Sequence, residues 1–498
     1  MRTSKSPFDQ LHELSKNLSA WTAIQGLLDW DQETMMPSAA IEFRAHQTAL
    51  VAGEIHKLKT GPKFSHLLEQ LMDYPSLTPQ QSAALREWQR DHLQATKLST
   101  SFVKTFVTTT TTSCHFWAEA RKASNFALFA PHLDKIVRLN RKKAELLGYQ
   151  NHPYDALLDL YEVGMTTERL VPIFNRLKTS LTTLLKTIQA KPPHDRSFLT
   201  QDFSPEVQLQ FGKKLLKHLG FLPENSRLDL STHPFCSCLH PLDSRMTTRI
   251  HKDNLMSNIF SVLHEGGHAM YNQGLPLQWH GTPLCESDSL GIDESQSRWW
   301  ETRIGRSHAF WSHFLPLLKK DFPQFHSIPL ETFYPAVNTV QPSFIRVEAD
   351  EVTYNLHIIL RFEIEKALME GSLKVKDIPE VWNQKMHELL GITPSNDAEG
   401  CLQDIHWAMG SLGYFPTYAL GNLYASQFFT AFEKTHPDWE SRISHGDLAF
   451  IREWLRTHIH QEGRQFPPDE LIQRVSGKPL DETAYITYLQ KKYQEIYN

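Results

Sequence analysis

Cysteine is scarce. Five are scattered over 498 residues, at Cys114, Cys236, Cys238, Cys285 and Cys401, and no Cys-x-x-Cys pair occurs. An odd, dispersed count excludes a disulfide framework and a cysteine-built zinc module. The closest pair, Cys236-Ser237-Cys238, has the spacing of neither a zinc knuckle nor a redox motif, so the cysteines read as reduced thiols. Long apolar runs are also missing. No stretch of 18 apolar residues occurs, which argues against a membrane span. The opening MRTSKSPFDQLHEL lacks the apolar run of a signal peptide, so cytoplasmic residence is the expectation. A basic excess is absent too. Lys and Arg number 51 against 56 Asp and Glu, a net charge of -5 with 26 His neutral, so nucleic acid is not the expected partner. No fixed-period repeat and no Gly/Ser-rich linker divides the chain.

What is present is ordinary globular material: 40% hydrophobic and 21% charged residues, in a chain long enough for a large core without staples. Length alone allows two or three ordinary domains or one large one. Helical periodicity dominates. Leu133, Ile136, Val137, Asn140, Ala144 and Leu147 recur every three or four residues and stop at Gly148. Thr166 or Thr167 is placed to cap a helix carrying Leu170, Ile173, Phe174 and Leu177. Similar stripes run through 351–370 and 451–459. The Thr108–Thr112 run weakens a helix without forbidding one. Residues 227–250, with Pro234, Pro241 and several Ser and Thr, are the least helical part and suit a small sheet or an irregular loop. The whole, 1–498, reads as a single mostly α-helical unit in two lobes.

The chemistry concentrates at SVLHEGGHAMY, residues 261–271. Residues four apart share a helix face, so the imidazoles of His264 and His268 can reach one metal ion. Glu265 can then stand beside a water on that ion and accept its proton. A chance H-E-x-x-H in so His-rich a chain is on the order of one in ten, so context matters. The flanks Ile259, Phe260, Val262, Leu263, Ala269 and Met270 are apolar, which marks a buried helix rather than a surface one. Gly266 and Gly267 each cost about 1 kcal/mol against Ala in mid-helix, so something must approach that backbone closely, a substrate or a neighbouring helix.

Catalytic zinc usually keeps three protein ligands and an open position. No H-E-x-x-H-x-x-G-x-x-H extension supplies a third His. Glu286, Asp288, Asp293 and Glu294 follow, with Glu294 26 residues past His268, and spacing alone leaves all four open.

Further motifs carry a resemblance. Leu28-Asp29-Trp30-Asp31-Gln32-Glu33-Thr34, His152-Pro153-Tyr154-Asp155-Ala156-Leu157, Asp243-Ser244-Arg245-Met246-Thr247 (D-x-R-x-T), Gly281-Thr282-Pro283-Leu284, Ser289-Leu290-Gly291-Ile292, Ile345-Arg346-Val347-Glu348-Ala349-Asp350 (I-R-x-x-A-D) and Gly400-Cys401-Leu402-Gln403-Asp404-Ile405-His406-Trp407 (G-x-x-Q-D-x-H-W) occur in order. In these the chain resembles the carboxypeptidase Taq type of metallocarboxypeptidases over most of its length. The resemblance implies a helical clamp with a deep groove, a homodimer, and removal of single residues from peptide C-termini. It implies one zinc per chain, replaceable by cobalt, with Glu294 as third ligand beside His264 and His268. The family usually has H-E-S-Q where this chain has Asp293-Glu294-Ser295-Gln296. A carboxylate in place of that His offsets the metal's charge and shifts the acidic limb of the pH–rate profile.

For substrate recognition, a free C-terminal carboxylate suits the planar fork of an Arg. Arg346 is preferred over Arg245, against the bland alternatives of ion pairs Arg346–Asp350 and Asp243–Arg245. Gln403 and His406 are candidates to line the groove, although His406 beside Trp407 equally fits a core histidine. Tyr414 or Tyr418 is the candidate donor to the oxyanion. Two other functions compete: a helical oligoendopeptidase without a carboxylate clamp, and a non-catalytic peptide-binding relative.

Overall fold

Local signals set most of the helices. In the computed structural model, which describes residues 5–498, the apolar stripe at 133–147 lies on a helix over Phe126–Leu147. Asn125 caps it by accepting from the Ala127 amide, and Gly148 ends it at φ 85°. Thr166 caps the helix Thr167–Gln189 by accepting from the Arg169 amide. The stripes at 351–370 and 451–459 form Tyr354–Glu370 and Ala449–His458. The threonine run lies inside the helix Thr100–Ala123. There Thr109 and Thr112 donate to the carbonyls of Thr105 and Thr108, at 2.8 and 2.9 Å, so the hydroxyls follow the helix rather than compete with it.

The non-helical stretch is a small sheet: β1 (Ser226–Leu230), β2 (Cys236–His240) and β3 (Asp243–Thr248). The order is β1-β3-β2, with β1 parallel to β3 (Ser226 opposite Ser244) and β2 antiparallel to it (Cys236 opposite Met246). The register slips between Cys238 and His240. Alternation along β3 buries Ser244 and Met246, and the helix Leu255–Gly274 packs on that side. Asn272 pins the helix there, donating to the Ser244 hydroxyl at 3.2 Å and the His240 carbonyl at 2.8 Å.

Two further helices complete the scaffold of the site. Leu290–Arg298 starts at the Ser289 cap and runs on into a wide π-turn, Trp299–Ile304. Pro416–Thr435 packs along it. Glycines set these contacts. A Cβ on Gly267 would fall 2.5 Å from the Gln296 carbonyl oxygen, and one on Gly421 would collide with the Glu294 Cγ. A neighbouring helix, then, is what the Gly267 backbone meets.

Apolar side chains gather in two clusters. The larger holds Trp299, Trp300, Trp311 and Phe429, and removing one such aromatic side chain costs about 3–5 kcal/mol. The smaller joins Phe8, Leu11, Phe64, Leu68 and Trp88 of the N-terminal helices with Leu284. Trp30, near the end of the helix Pro7–Thr34, lies with the Arg227 and Arg245 guanidiniums each 4.8 Å from its ring, which docks this helix on the sheet. Arg464 ties the parts again, 2.7 Å from Glu87, 3.2 Å from Asp91 and 3.0 Å from Glu286. No helix among the described residues is long and apolar enough to cross a membrane.

Candidate metal centre

His264 and His268 stand one turn apart, ring centroids 5.1 Å from each other. The Nε2 of each lies 3.6 Å from Glu294 Oε2. That is too long for hydrogen bonds. It is close to the separation of about 3.4 Å that two ligand atoms at 2.1 Å from a tetrahedral ion would have. The ligand atoms of the three residues lie within 4.8 Å of one another. Glu294 Oε1 is buried without a hydrogen-bond partner, while Oε2 accepts from the Ser297 hydroxyl at 2.9 Å. A buried carboxylate whose Oε2 faces two imidazole nitrogens and whose Oε1 has no partner fits a cation, and the set of two His and one Glu fits zinc.

The other ring nitrogens fix the tautomers. His264 Nδ1 donates to Glu301 at 2.9 Å, and His268 Nδ1 to Asp293 at 2.9 Å. The Nε2 of each ring is thereby the atom turned to the shared site. Burial disfavours the imidazolium form, but the surrounding carboxylates outweigh it: the His268 pKa is pushed up to about 10, chiefly by Asp293, and the His264 pKa is raised chiefly by Glu294. Burial alone would also raise Glu301, yet the Arg298 guanidinium, 2.8 Å away, holds it at about 2, so it stays an acceptor. Glu265 is 5% exposed; burial raises its pKa and the two imidazoles partly offset this. A carboxylate poised in that way suits proton transfer.

Of the four acids open in sequence, Glu294 alone meets both imidazoles and Asp293 orients one. Glu286 pairs with Arg464, and Asp288 is buried with its pKa raised, first by burial and then by Glu162. Beside Glu294 stands an aromatic group. Tyr414 and Tyr418 lie 5.3 Å apart, and His406 Nε2 is 3.1 Å from the Tyr418 hydroxyl. Burial raises both phenol pKa values, with Glu294 adding to the shift, so both keep their protons. Burial pushes His406 down to about 3, so it is neutral; its Nδ1 has no partner among the described residues. A cavity of about 410 Å³ borders the centre at His268 and Asp293, walled by the N-terminal helix and β2.

Of the remaining motif residues, some take partners that the sequence did not point to and some take the expected ones. Arg346 is 5% exposed and binds Asp404 through Nε (3.1 Å) and Nη2 (2.9 Å), with Nη1 on the Tyr354 hydroxyl at 3.0 Å. It is neither free in a groove nor paired with Asp350. Asp350 instead accepts from the amides of Gln341, Val352 and Thr353, at 2.9–3.0 Å, and shapes its own loop. Gln403 is consumed by backbone: it accepts from the Arg346 amide at 2.8 Å and donates to the Phe344, Glu399 and Gly400 carbonyls. Asp243 and Arg245 do form a two-pronged pair, both contacts 3.0 Å, with Arg245 Nη1 left without a partner among the described residues. Sequence reasoning missed Glu301, Arg298 and Tyr354. Glu301 was within reach: it lies seven residues after Glu294, two turns along one helix face.

The comparisons agree with this geometry. The family model described as "Carboxypeptidase Taq (M32) metallopeptidase" matches residues 10–493. The chain belongs to the carboxypeptidase Taq family. It is a metallocarboxypeptidase, a peptide hydrolase, by that membership. It is similar to thermostable carboxypeptidase 1 of Thermus thermophilus, 40% identical with 99% of this chain and 100% of that one covered. Carboxypeptidase 1 of Bacillus subtilis is 37% identical, with 98% of each covered. Among solved structures, the carboxypeptidase of this family from Deinococcus radiodurans superposes with a TM-score of 0.97 at 36% identity, covering 99% of this chain and 100% of that one. The Pyrococcus furiosus carboxypeptidase gives 0.96 at 36% identity, covering 99% and 100%. The helical fold with its small sheet, read from the sequence, is the family's fold.

Proposed function

We propose that the chain is a zinc carboxypeptidase that releases single residues from free peptide C-termini. One observation carries this: two Nε2 atoms equidistant from a buried Glu294 oxygen, with buried Glu265 next to His264 on the same helix, in a metallocarboxypeptidase fold. His264, His268 and Glu294 would hold one zinc per chain, with cobalt as a workable substitute. When bound, zinc lowers the pKa of its water and polarises the scissile carbonyl.

Glu265 takes the proton of the attacking water and passes one to the leaving amine. Tyr418, steadied by neutral His406, is the preferred donor to the developing oxyanion, with Tyr414 beside it. Asp293 and Glu301 aim the two imidazoles. Recognition of the terminal carboxylate moves from Arg346 to Arg245, whose Nη1 is uncommitted; Asp243 holds that guanidinium in place. Arg346, closed by Asp404, becomes a positioning residue for Tyr354 and, through its stack 4.8 Å from the ring, for Tyr418. The two apolar clusters would form the two lobes of one catalytic unit around the cleft, and we take the working form to be a cytoplasmic homodimer. Endopeptidase activity on the same scaffold is the reading to exclude.

Metal depletion and refilling tests this. Chelated enzyme should lose activity on a free-ended peptide and regain it with one equivalent of zinc, giving a ladder of products shortened one residue at a time. Full activity in metal-free enzyme, or internal fragments from the first time point, would reject the proposal.

A further inference from the structure

A second set of metal-seeking side chains lies outside the His264–His268–Glu294 centre. Cys236 and Cys238 are two apart on β2, and alternate residues of a strand share a face. Their Sγ atoms are 3.6 Å apart. Two thiolates at 2.3 Å from a tetrahedral zinc would be about 3.8 Å apart, so the pair is already spaced as two ligands of such an ion. A disulfide fits less well, because two steps of extended strand span about 6.6 Å, near the outer limit of about 6.8 Å between bridged Cα atoms.

The surroundings favour an ion as well. β2 is an edge strand, and its register slips just after Cys238, so small sulfur adjustments break no ladder on the outer side. Cys238 is exposed and lines the cavity of about 410 Å³, which has room for water or another ligand at the remaining positions. Its thiol points toward the His268 carbonyl oxygen, 3.9 Å away. By contrast, Cys285 and Cys401 are buried.

We propose that Cys236 and Cys238 form a second metal site, a two-thiolate chelate for a soft d¹⁰ cation, in the cleft wall beside His268. Binding exchanges two S–H protons, released to solvent, for two metal–sulfur bonds, with no change of oxidation state. An ion held there intrudes on the cavity that borders the His–Glu centre and lowers turnover.

The test titrates zinc-loaded enzyme with Cd²⁺. It reads the ultraviolet thiolate-to-cadmium absorbance, the zinc retained after desalting, and peptide turnover. The site is supported if absorbance saturates at one Cd²⁺ per chain with the zinc retained and turnover falling in parallel. Cys238→Ser and Cys236→Ser should each weaken that binding by at least about tenfold. Absence of the band, an unchanged band in both variants, or a saturated band with turnover intact would overturn it. The absorbance judges the site even if the peptidase reading fails, because it does not depend on turnover.

Discussion

Replacing Gly267 by alanine puts a methyl group 2.5 Å from the Gln296 carbonyl oxygen and 2.6 Å from the Ser297 Cα. Both obstacles are backbone, so no rotamer change relieves them. Ordinary contact begins at 3.4 Å, so the helices Leu255–Gly274 and Leu290–Arg298 must part. The shift needed is roughly 1 Å, and misplacement on that scale costs on the order of 10²-fold in activity. Glu294 rides on the displaced helix, so the imidazole–carboxylate spacing opens with it. Overpacking of this kind costs about 1–3 kcal/mol, while alanine returns about 1 kcal/mol of helix propensity. Gly267→Ala should thus destabilise by up to about 2 kcal/mol and bind metal more weakly. Gly266 is the internal control. A Cβ there meets Leu216 Cδ2 at 3.4 Å, ordinary contact, so Gly266→Ala should be neutral or stabilise by about 1 kcal/mol. Urea midpoints at constant m-value and metal retention against a chelator measure both. Equal behaviour of the two variants, or greater harm at Gly266, would refute the packing argument.

Asp404 sits between two guanidiniums, Arg346 at 2.9 Å and Arg361 at 2.5 Å; burial would raise its pKa, but they hold it far below the usual carboxylate range. Its stabilisation is therefore complete above the unfolded pKa of about 3.9 and lost as pH falls below it. Asp404→Asn leaves two buried cations unpaired and should cost about 3–5 kcal/mol in urea unfolding at neutral pH; a loss under 1 kcal/mol would contradict the pairing. Tyr418→Phe should lower kcat by on the order of 10²-fold with little change in KM, whereas Arg245→Lys should raise KM for free-ended peptides; the reverse split would exchange the roles. Asp293→His removes a negative charge beside the centre, so the acidic limb of the pH–rate profile should move to lower pH. An unmoved limb would count against a role for Asp293 there.

Periodicity made the helices legible because apolar stripes and caps are local: Thr166 and Gly148 mark ends that the chain uses. The 3₁₀ turn at Arg346–Glu348 marks the limit. A pair of Arg346 with Asp350 would need the two side chains on one helical face, but the backbone is extended at Ala349, which sends Asp350 to neighbouring amides. The true partner, Asp404, lies 58 residues away, and no local rule points to it. Likewise the helix rule brought His264 and His268 together, while the choice among four acids depended on a loop whose path spacing cannot define. The paired glycines were legible as a close approach; which one mattered required the neighbouring backbone at Gln296.

The most direct measurement is paired digestion of one short peptide, free or amidated at its C-terminus, by zinc-loaded wild type and Glu265→Gln, read by mass spectrometry. The account predicts stepwise loss of single residues from the free peptide only, abolished in the variant while its metal and fold remain. Equal internal cleavage of both peptides, or undiminished activity in Glu265→Gln, would contradict it.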